Sequence, residues 1–163
     1  MLEFRIRTLE HMAALGRVLA DCLRAEPSLR CFLLRGGLGS GKTTLTRFLV
    51  EALPGGDGAE ISSPSFTLCN VYPTAPPVLH CDLYRVVGAV PDELSETLAA
   101  GDMAVVVEWA EYLPFSYLPQ DFLDICLQVC DAYRLVGVAI HSPYSARVES
   151  FLRTAQCARV SSV

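Results

Sequence analysis

The chain has 163 residues, 52% apolar and 19% charged, with a formal net charge of −5. That length and balance describe one globular domain with a real core and exclude a disordered or fibrous chain. The negative charge argues against a domain that coats nucleic acid by itself, so any RNA involvement should run through a partner.

Phe4 to Arg7 predicts an edge strand. Thr8 is placed to cap a helix whose buried stripe is Met12, Leu15, Leu19, Cys22 and Leu23. Glu26-Pro27-Ser28 ends that helix. Cys31 to Leu34 is a short apolar run, as a buried parallel strand should be. After a glycine-rich loop, Leu45, Phe48, Leu49, Ala52 and Leu53 fall on one helical face, and Pro54-Gly55-Gly56 stops it. Gly55 to Ser65, rich in Gly, Ser and acid, predicts a mobile segment. Phe66 to Tyr72 reads as a strand, Pro73 to Pro77 as a turn, and Val78 to Leu83 as another strand. Pro91 to Ala100 predicts a short helix with Asp92 and Glu93 near its positive end. Ala104 to Val107 is a buried strand closing in Glu108. Leu123, Ile125, Leu127 and Val129 alternate, as do Val136, Val138 and Ile140. The short Cys130 to Tyr133 connection makes these two an antiparallel hairpin. Tyr144 to Ala155 reads as a terminal helix. The expected fold is α/β, a single domain over residues 1–155 followed by a polar tail, 156–163. Its sheet should be mixed and mainly parallel, flanked by helices, with the antiparallel hairpin near the C-terminus.

Met1 to Arg5 leads into alternating charge rather than a signal-peptide block, and no apolar run reaches the length of a membrane span. A cytoplasmic location without membrane contact is expected. The seven cysteines include no C-x-x-C pair. Cys31, Cys81 and Cys126 lie in apolar strand-like runs and read as small buried hydrophobes of a reducing compartment. Cys126 and Cys130 lack a second Cys or His pair at zinc spacing.

The chain's chemistry centres on its one lysine. Lys42 stands against twelve arginines, inside Gly36-Gly37-Leu38-Gly39-Ser40-Gly41-Lys42-Thr43, a full match to G-x-x-x-x-G-K-[ST]. A compact ammonium can enter a ring of backbone N–H groups and reach the β- and γ-phosphates, where a planar guanidinium is too large. The strand before and the helix after complete the arrangement of a P-loop NTPase. Leu38, Gly39, Ser40, Gly41, Lys42, Thr43 and Thr44 are the expected nucleotide contacts, with the Thr43 hydroxyl on Mg²⁺.

Two strand-end carboxylates follow. Glu108 has the position of an acid that holds Mg²⁺ directly or through water. Asp82, in His80-Cys81-Asp82-Leu83-Tyr84-Arg85, could serve the same metal or orient an attacking water. Arg85 either neutralises phosphate or pairs with a surface acid, and His80 reads as a structural hydrogen-bonding residue. Hydroxyls of Ser62-Ser63-Pro64-Ser65-Phe66-Thr67 could reach the metal or the γ-phosphate. Trp109 either stacks on a ligand or anchors the core.

The glycine loop, Ser63-Pro64-Ser65-Phe66-Thr67, His80-x-Asp82-Leu83-Tyr84-Arg85 and Glu108-Trp109, in this order, resemble the TsaE (YjeE) family. The resemblance runs from about Phe4 to Ile140. It implies a weak, Mg²⁺-dependent ATPase of the pathway that places threonylcarbamoyl on an adenosine next to the tRNA anticodon. Its implied partners are TsaB and TsaD, with tRNA met only through their complex. It further implies that Lys42, Thr43 and Glu108 serve phosphate and metal and that Asp82 assists hydrolysis. Ser65 and Thr67 would belong to a switch-like loop, and Arg134 would contact the nucleotide. Two positions depart from the family pattern: Gly37, where an acid is usual, and Ser65, where Thr is usual.

Two other classes use the same loop. A small-molecule kinase closes an arginine-bearing lid on the transferred phosphate, yet between Arg47 and Arg134 only Arg85 is available. A nucleotide-dependent adaptor shares the binding residues but does not use Asp82 and Glu108 for turnover. A GTPase is disfavoured because N-K-x-D needs a second lysine.

Overall fold

The computed structural model describes residues 1–64, 67–86, 89–143 and 145–154. Ser65, Phe66, Tyr144 and the polar tail lie outside them. β1 (Leu2–Ile6) leads into α1 (Leu9–Ala25). The Thr8 hydroxyl caps α1 by accepting from the His11 N–H at 3.3 Å, which satisfies one orphan donor of the first turn. β2 (Cys31–Arg35) and α2 (Lys42–Glu51) flank the glycine loop. β3 (Cys69–Tyr72), β4 (Val78–Asp82), α3 (Asp92–Ala100) and β5 (Ala104–Glu108) follow. Two short 3-10 turns, Ala110–Tyr112 and Phe115–Tyr117, precede β6 (Phe122–Cys130), β7 (Tyr133–His141) and α4 (Ser145–Thr154).

The strands form one mixed sheet in the order β1-β7-β6-β2-β5-β4-β3. Its centre, β6-β2-β5-β4, is parallel. Its edges are antiparallel, closed on one side by β1 and the β6–β7 hairpin and on the other by β3. The edge strand and the hairpin match the expectation from periodicity. Among the described residues, no helix is long and apolar enough to cross a membrane.

Strand alternation divides the core in two. Phe32, Leu34, Val78 and Val106 point to one face and pack with Leu15 and Leu19 of α1, Leu45 and Leu49 of α2 and Val148 and Leu152 of α4. Leu33, Leu79, Val105 and Val107 point to the other, against Leu94 of α3 and Leu113. Each such buried Leu or Val contributes roughly 1.5–3 kcal/mol. The predicted stripe of α1 is buried in full: Met12, Leu15, Leu19, Cys22 and Leu23.

Three expectations are corrected. The strand predicted from Phe66 starts at Cys69, because Leu68 takes φ +66°, which breaks an extended run. Cys81 is not a lone buried thiol: it lies opposite Cys69 in the β3–β4 register, Cα atoms 4.2 Å apart, and the two are joined in a disulfide. Cys126 is exposed, because it alternates with the core residues Ile125 and Leu127 and points away from them. Cys31 is buried as expected, and burial pushes its thiol up to about 12.

The helices α1 and α2 meet at Gly16, where an added Cβ would fall 2.6 Å from the Phe48 Cβ and 2.8 Å from its carbonyl carbon. Helix propensity alone favours Ala over Gly by about 0.5–1 kcal/mol. Overpacking opposes it by about 1–3 kcal/mol. Gly16→Ala should therefore show a net loss of stability in urea denaturation. A gain would mean that the two helices do not pack this closely.

Candidate functional site

The loop between β2 and α2 is built for glycine. Gly36, Gly39 and Gly41 have φ of +136°, +71° and +105°. A Cβ at Gly36 would lie 2.2 Å from the Leu127 carbonyl oxygen, so no other residue fits between the loop and β6. Gly41 caps α2, whose first residue is Lys42. The loop and the first turn of α2 line a cavity of about 440 Å³, with Leu38, Gly39, Ser40, Gly41, Lys42, Thr43 and Thr44 on its wall. Helix N-termini carry unpaired N–H groups and positive potential, which favour anions. Ser40 is buried, and its Oγ has no hydrogen-bond partner among the described residues.

Lys42 is 5% exposed. Its Nζ donates to the Gly36 carbonyl at 2.6 Å and the Gly37 carbonyl at 3.0 Å. It also stands 4.0 Å from the centroid of the Trp109 ring, a cation–π contact. Burial draws its pKa below the ordinary 10.5, opposed by the charges of Glu108, Glu111 and Asp82.

The carboxylates arrive from the neighbouring strands. β4 and β5 pair in parallel with Asp82 opposite Glu108. His80 and Asp82, two residues apart, point to the same face, the face that α2 covers. All three are buried: His80 at 0%, Asp82 at 4% and Glu108 at 2% exposure. Glu108 Oε2 accepts from the Thr43 hydroxyl at 2.9 Å, and Oε1 lies 2.8 Å from His80 Nε2. Asp82 Oδ1 accepts from the Tyr84 N–H at 2.9 Å, and Oδ2 accepts from the Ser63 hydroxyl. Ser63, Asp82, Tyr84, Arg85, Glu108, Trp109 and Arg134 complete the cavity wall.

The structure separates the remaining candidates. Trp109 turns left-handed, φ +56°, and its ring lies against Tyr84 and Tyr112, centroids 4.7 and 6.2 Å away. It both lines the cavity and is packed. Arg134 reaches the loop, with Nη2 3.4 Å from the Gly39 carbonyl. Thr67 does not reach the cavity; its hydroxyl donates to Asn70.

Sequence reasoning missed a neighbouring cavity of about 190 Å³, lined by Ile6, Arg7, Thr8, Leu9 and Met12 together with Gly41, Thr44 and Arg134. It exists because β1 pairs with β7, Ile6 opposite Arg134. No local motif encodes that long-range contact.

The family profile described as "Threonylcarbamoyl adenosine biosynthesis protein TsaE" matches residues 6–139. The chain belongs to the TsaE family. It is 43% identical over 105 residues to the tRNA threonylcarbamoyladenosine biosynthesis protein TsaE of Streptomyces coelicolor, covering 61% of this chain and 68% of that one. It is 31% identical over 123 residues to the Bacillus subtilis protein of the same name, covering 74% and 76%. The crystal structure of Bacillus subtilis YdiB superposes with a TM-score of 0.70 at 26% identity, over 93% of both chains. The fold is therefore the expected single-domain P-loop fold, and the family role lies in threonylcarbamoyladenosine biosynthesis for tRNA.

In this TsaE chain the donor set suits a hard cation. Among the described residues no group of three or more His, Cys, Asp or Glu side chains gathers as a metal cage. A hydroxyl and a carboxylate, Thr43 and Glu108, face the cavity instead. That is the sparse oxygen set Mg²⁺ uses when phosphate supplies further ligands.

Trp109 is the sole tryptophan and contacts Lys42, so its emission should report the charge above it. Alkaline titration should change that emission before pH reaches the ordinary lysine value of 10.5. The difference should vanish in Lys42→Met. A transition that persists in that variant would belong to tyrosines instead.

Proposed function

We propose that this chain binds ATP with Mg²⁺ and hydrolyses it weakly, cycling on a TsaB–TsaD-type complex. That complex carries out threonylcarbamoylation of the adenosine next to the tRNA anticodon, and the chain meets tRNA only through it. The observation that carries the reading is convergence. Lys42, Thr43, Asp82 and Glu108 line one cavity, at the carboxyl ends of parallel strands and over the N-terminus of α2, where α/β sheets bind their ligands.

Each residue has a role that follows from its place. Lys42 exchanges the Gly36 and Gly37 carbonyls for β- and γ-phosphate oxygens, and the first N–H groups of α2 donate to the same phosphates. Thr43 and Glu108 hold Mg²⁺, which when bound neutralises phosphate charge. Arg134 and the cavity beside it suit the nucleoside end: Ile6, Leu9 and Met12 offer apolar surface for a planar base, and Thr8 offers a hydroxyl. Asp82 accepts a hydrogen bond from the attacking water and orients it toward the γ-phosphate.

The same geometry gives a reason for slow turnover by the chain alone. Both Asp82 oxygens are engaged, by Ser63 and by the Tyr84 N–H. Each oxygen keeps a second lone pair, but the Ser63 hydroxyl competes with a water for Oδ2 until the segment carrying it moves. A partner that repositions this segment would therefore stimulate hydrolysis, a gating role rather than new chemistry.

Lys42→Ala should weaken ATP binding by roughly 10- to 100-fold in calorimetry, the value of a lost charge-assisted bond. ATP affinity equal to wild type would remove the loop from the site. Asp82→Asn should keep ATP affinity but lose about 10²-fold or more of the partner-stimulated phosphate release. If a TsaB–TsaD complex leaves the rate of the native chain unchanged, the partner-gated reading fails. Phosphoryl transfer to a metabolite would replace it with a kinase.

A further inference from the structure

His80 is the one group in the buried cluster that the proposed chemistry does not use. It sits mid-strand in β4, fully buried, on the face it shares with Val78 and Asp82, and directly opposite Asn70 of β3. The parallel register puts it opposite Val106, two residues before Glu108. From there its ring reaches diagonally to the end of the neighbouring strand, Nε2 to Glu108 Oε1 at 2.8 Å. Tyr72 packs beside it, ring centroids 6.2 Å apart and planes 30° apart, which restricts the ring's rotation.

The other ring nitrogen is informative. Nδ1 is buried and has no hydrogen-bond partner among the described residues. A purely structural buried histidine satisfies both nitrogens. Here a hydrogen on Nδ1 would be a buried donor with no acceptor, whereas a bare lone pair there is the lesser loss. That balance favours a hydrogen on Nε2, donated to Glu108. Thr43 holds Oε2, so the two oxygens have different partners, and only the Thr43 side faces the phosphate loop.

We propose that His80 is the positioning residue that occupies Glu108 Oε1 and leaves Oε2 alone for the Thr43 hydroxyl and a divalent cation. Glu108 is thereby held as a one-oxygen ligand, and its side chain cannot rotate to chelate with both. This rests on the Mg²⁺–ATP reading of the site, and it adds the residue that sets the ligand's orientation. Outer partners of this kind typically change metal affinity by roughly 10- to 100-fold when removed.

The test separates His80 from that reading. ATP binding to the full chain is measured by calorimetry in EDTA and across a Mg²⁺ titration, for the native sequence, His80→Leu and His80→Gln. The expected result is unchanged metal-free affinity in His80→Leu, with the Mg²⁺ concentration for half-effect raised roughly 10- to 100-fold. His80→Gln, whose amide can donate from a similar position, should stay within about threefold of native. Equal losses with and without Mg²⁺ would mark His80 as merely structural and overturn the proposal, as would a native Mg²⁺ dependence in folded His80→Leu. Nitrogen NMR of the native chain tests it independently of folding of the variants and of metal. A His80 hydrogen on Nε2 supports the proposal, and one on Nδ1 alone overturns it. Absence of any ATP binding by the native chain would instead sink the nucleotide reading, leaving the tautomer result to decide the Glu108 contact.

Discussion

The register of β4 against β5 is the constraint on which the site depends. Asp82 faces Glu108 across the pair, so both strands end together and deliver two carboxylates at one level. Side chains alternate with a period of two. A slip of one residue would turn His80, Asp82 and Glu108 to the opposite face, against Leu94 and Leu113, where nothing could pair with them. The register is held by apolar residues on both faces: Val78 and Val106 on one, Leu79, Cys81, Val105 and Val107 on the other. Core packing, not the polar groups, therefore supplies the precision of the site. The polar groups only have to be satisfied once they arrive, and each carboxylate oxygen is.

Satisfaction also describes Lys42. A buried cation without partners would cost several kcal/mol. The loop offers two carbonyls and Trp109 offers a ring face, so the site is stable without a ligand. An anion must replace those contacts, and the affinity it gains is the difference. The carbonyl contacts are already charge-assisted through the ammonium, and a phosphate oxygen would add a full opposite charge, which would favour the exchange. It is favourable for a phosphate more than for a neutral ligand, because only the charged oxygen outbids the carbonyls.

Much of this was legible in the chain because it is local. The glycine loop, the α1 stripe with its Thr8 cap, and the hairpin around residues 130–133 are encoded by spacing within a few residues. So is the shared face of His80 and Asp82, which their separation of two dictates. What was not legible depends on which distant segments meet. The Cys69–Cys81 bridge needs the β3–β4 register. The exposure of Cys126 depends on which sheet face the helices leave open. The Ser63 contact to Asp82 comes from a segment without regular structure, and the Ile6-to-Met12 cavity from pairing of the first strand with the last. Periodicity reports which face a residue takes, but not what covers that face.

The backbone at Leu68 and Trp109 completes the argument. They are the two non-glycine residues with positive φ among those described, and each flanks a strand-end carboxylate. Such a conformation costs about 1 kcal/mol or more, so neighbouring structure must enforce it. Leu68 is held through its carbonyl, which accepts from the Asp82 N–H at 2.9 Å, and Trp109 through its own, which accepts from the Tyr112 N–H at 3.0 Å. Had β5 continued extended through Trp109, its ring would have pointed to the opposite face from Glu108. The left-handed turn lets consecutive residues serve the same cavity: Glu108 reaches Thr43 and the Trp109 ring covers Lys42. The adjacency of Glu108 and Trp109 therefore has a conformational meaning. It is useful only where the strand stops.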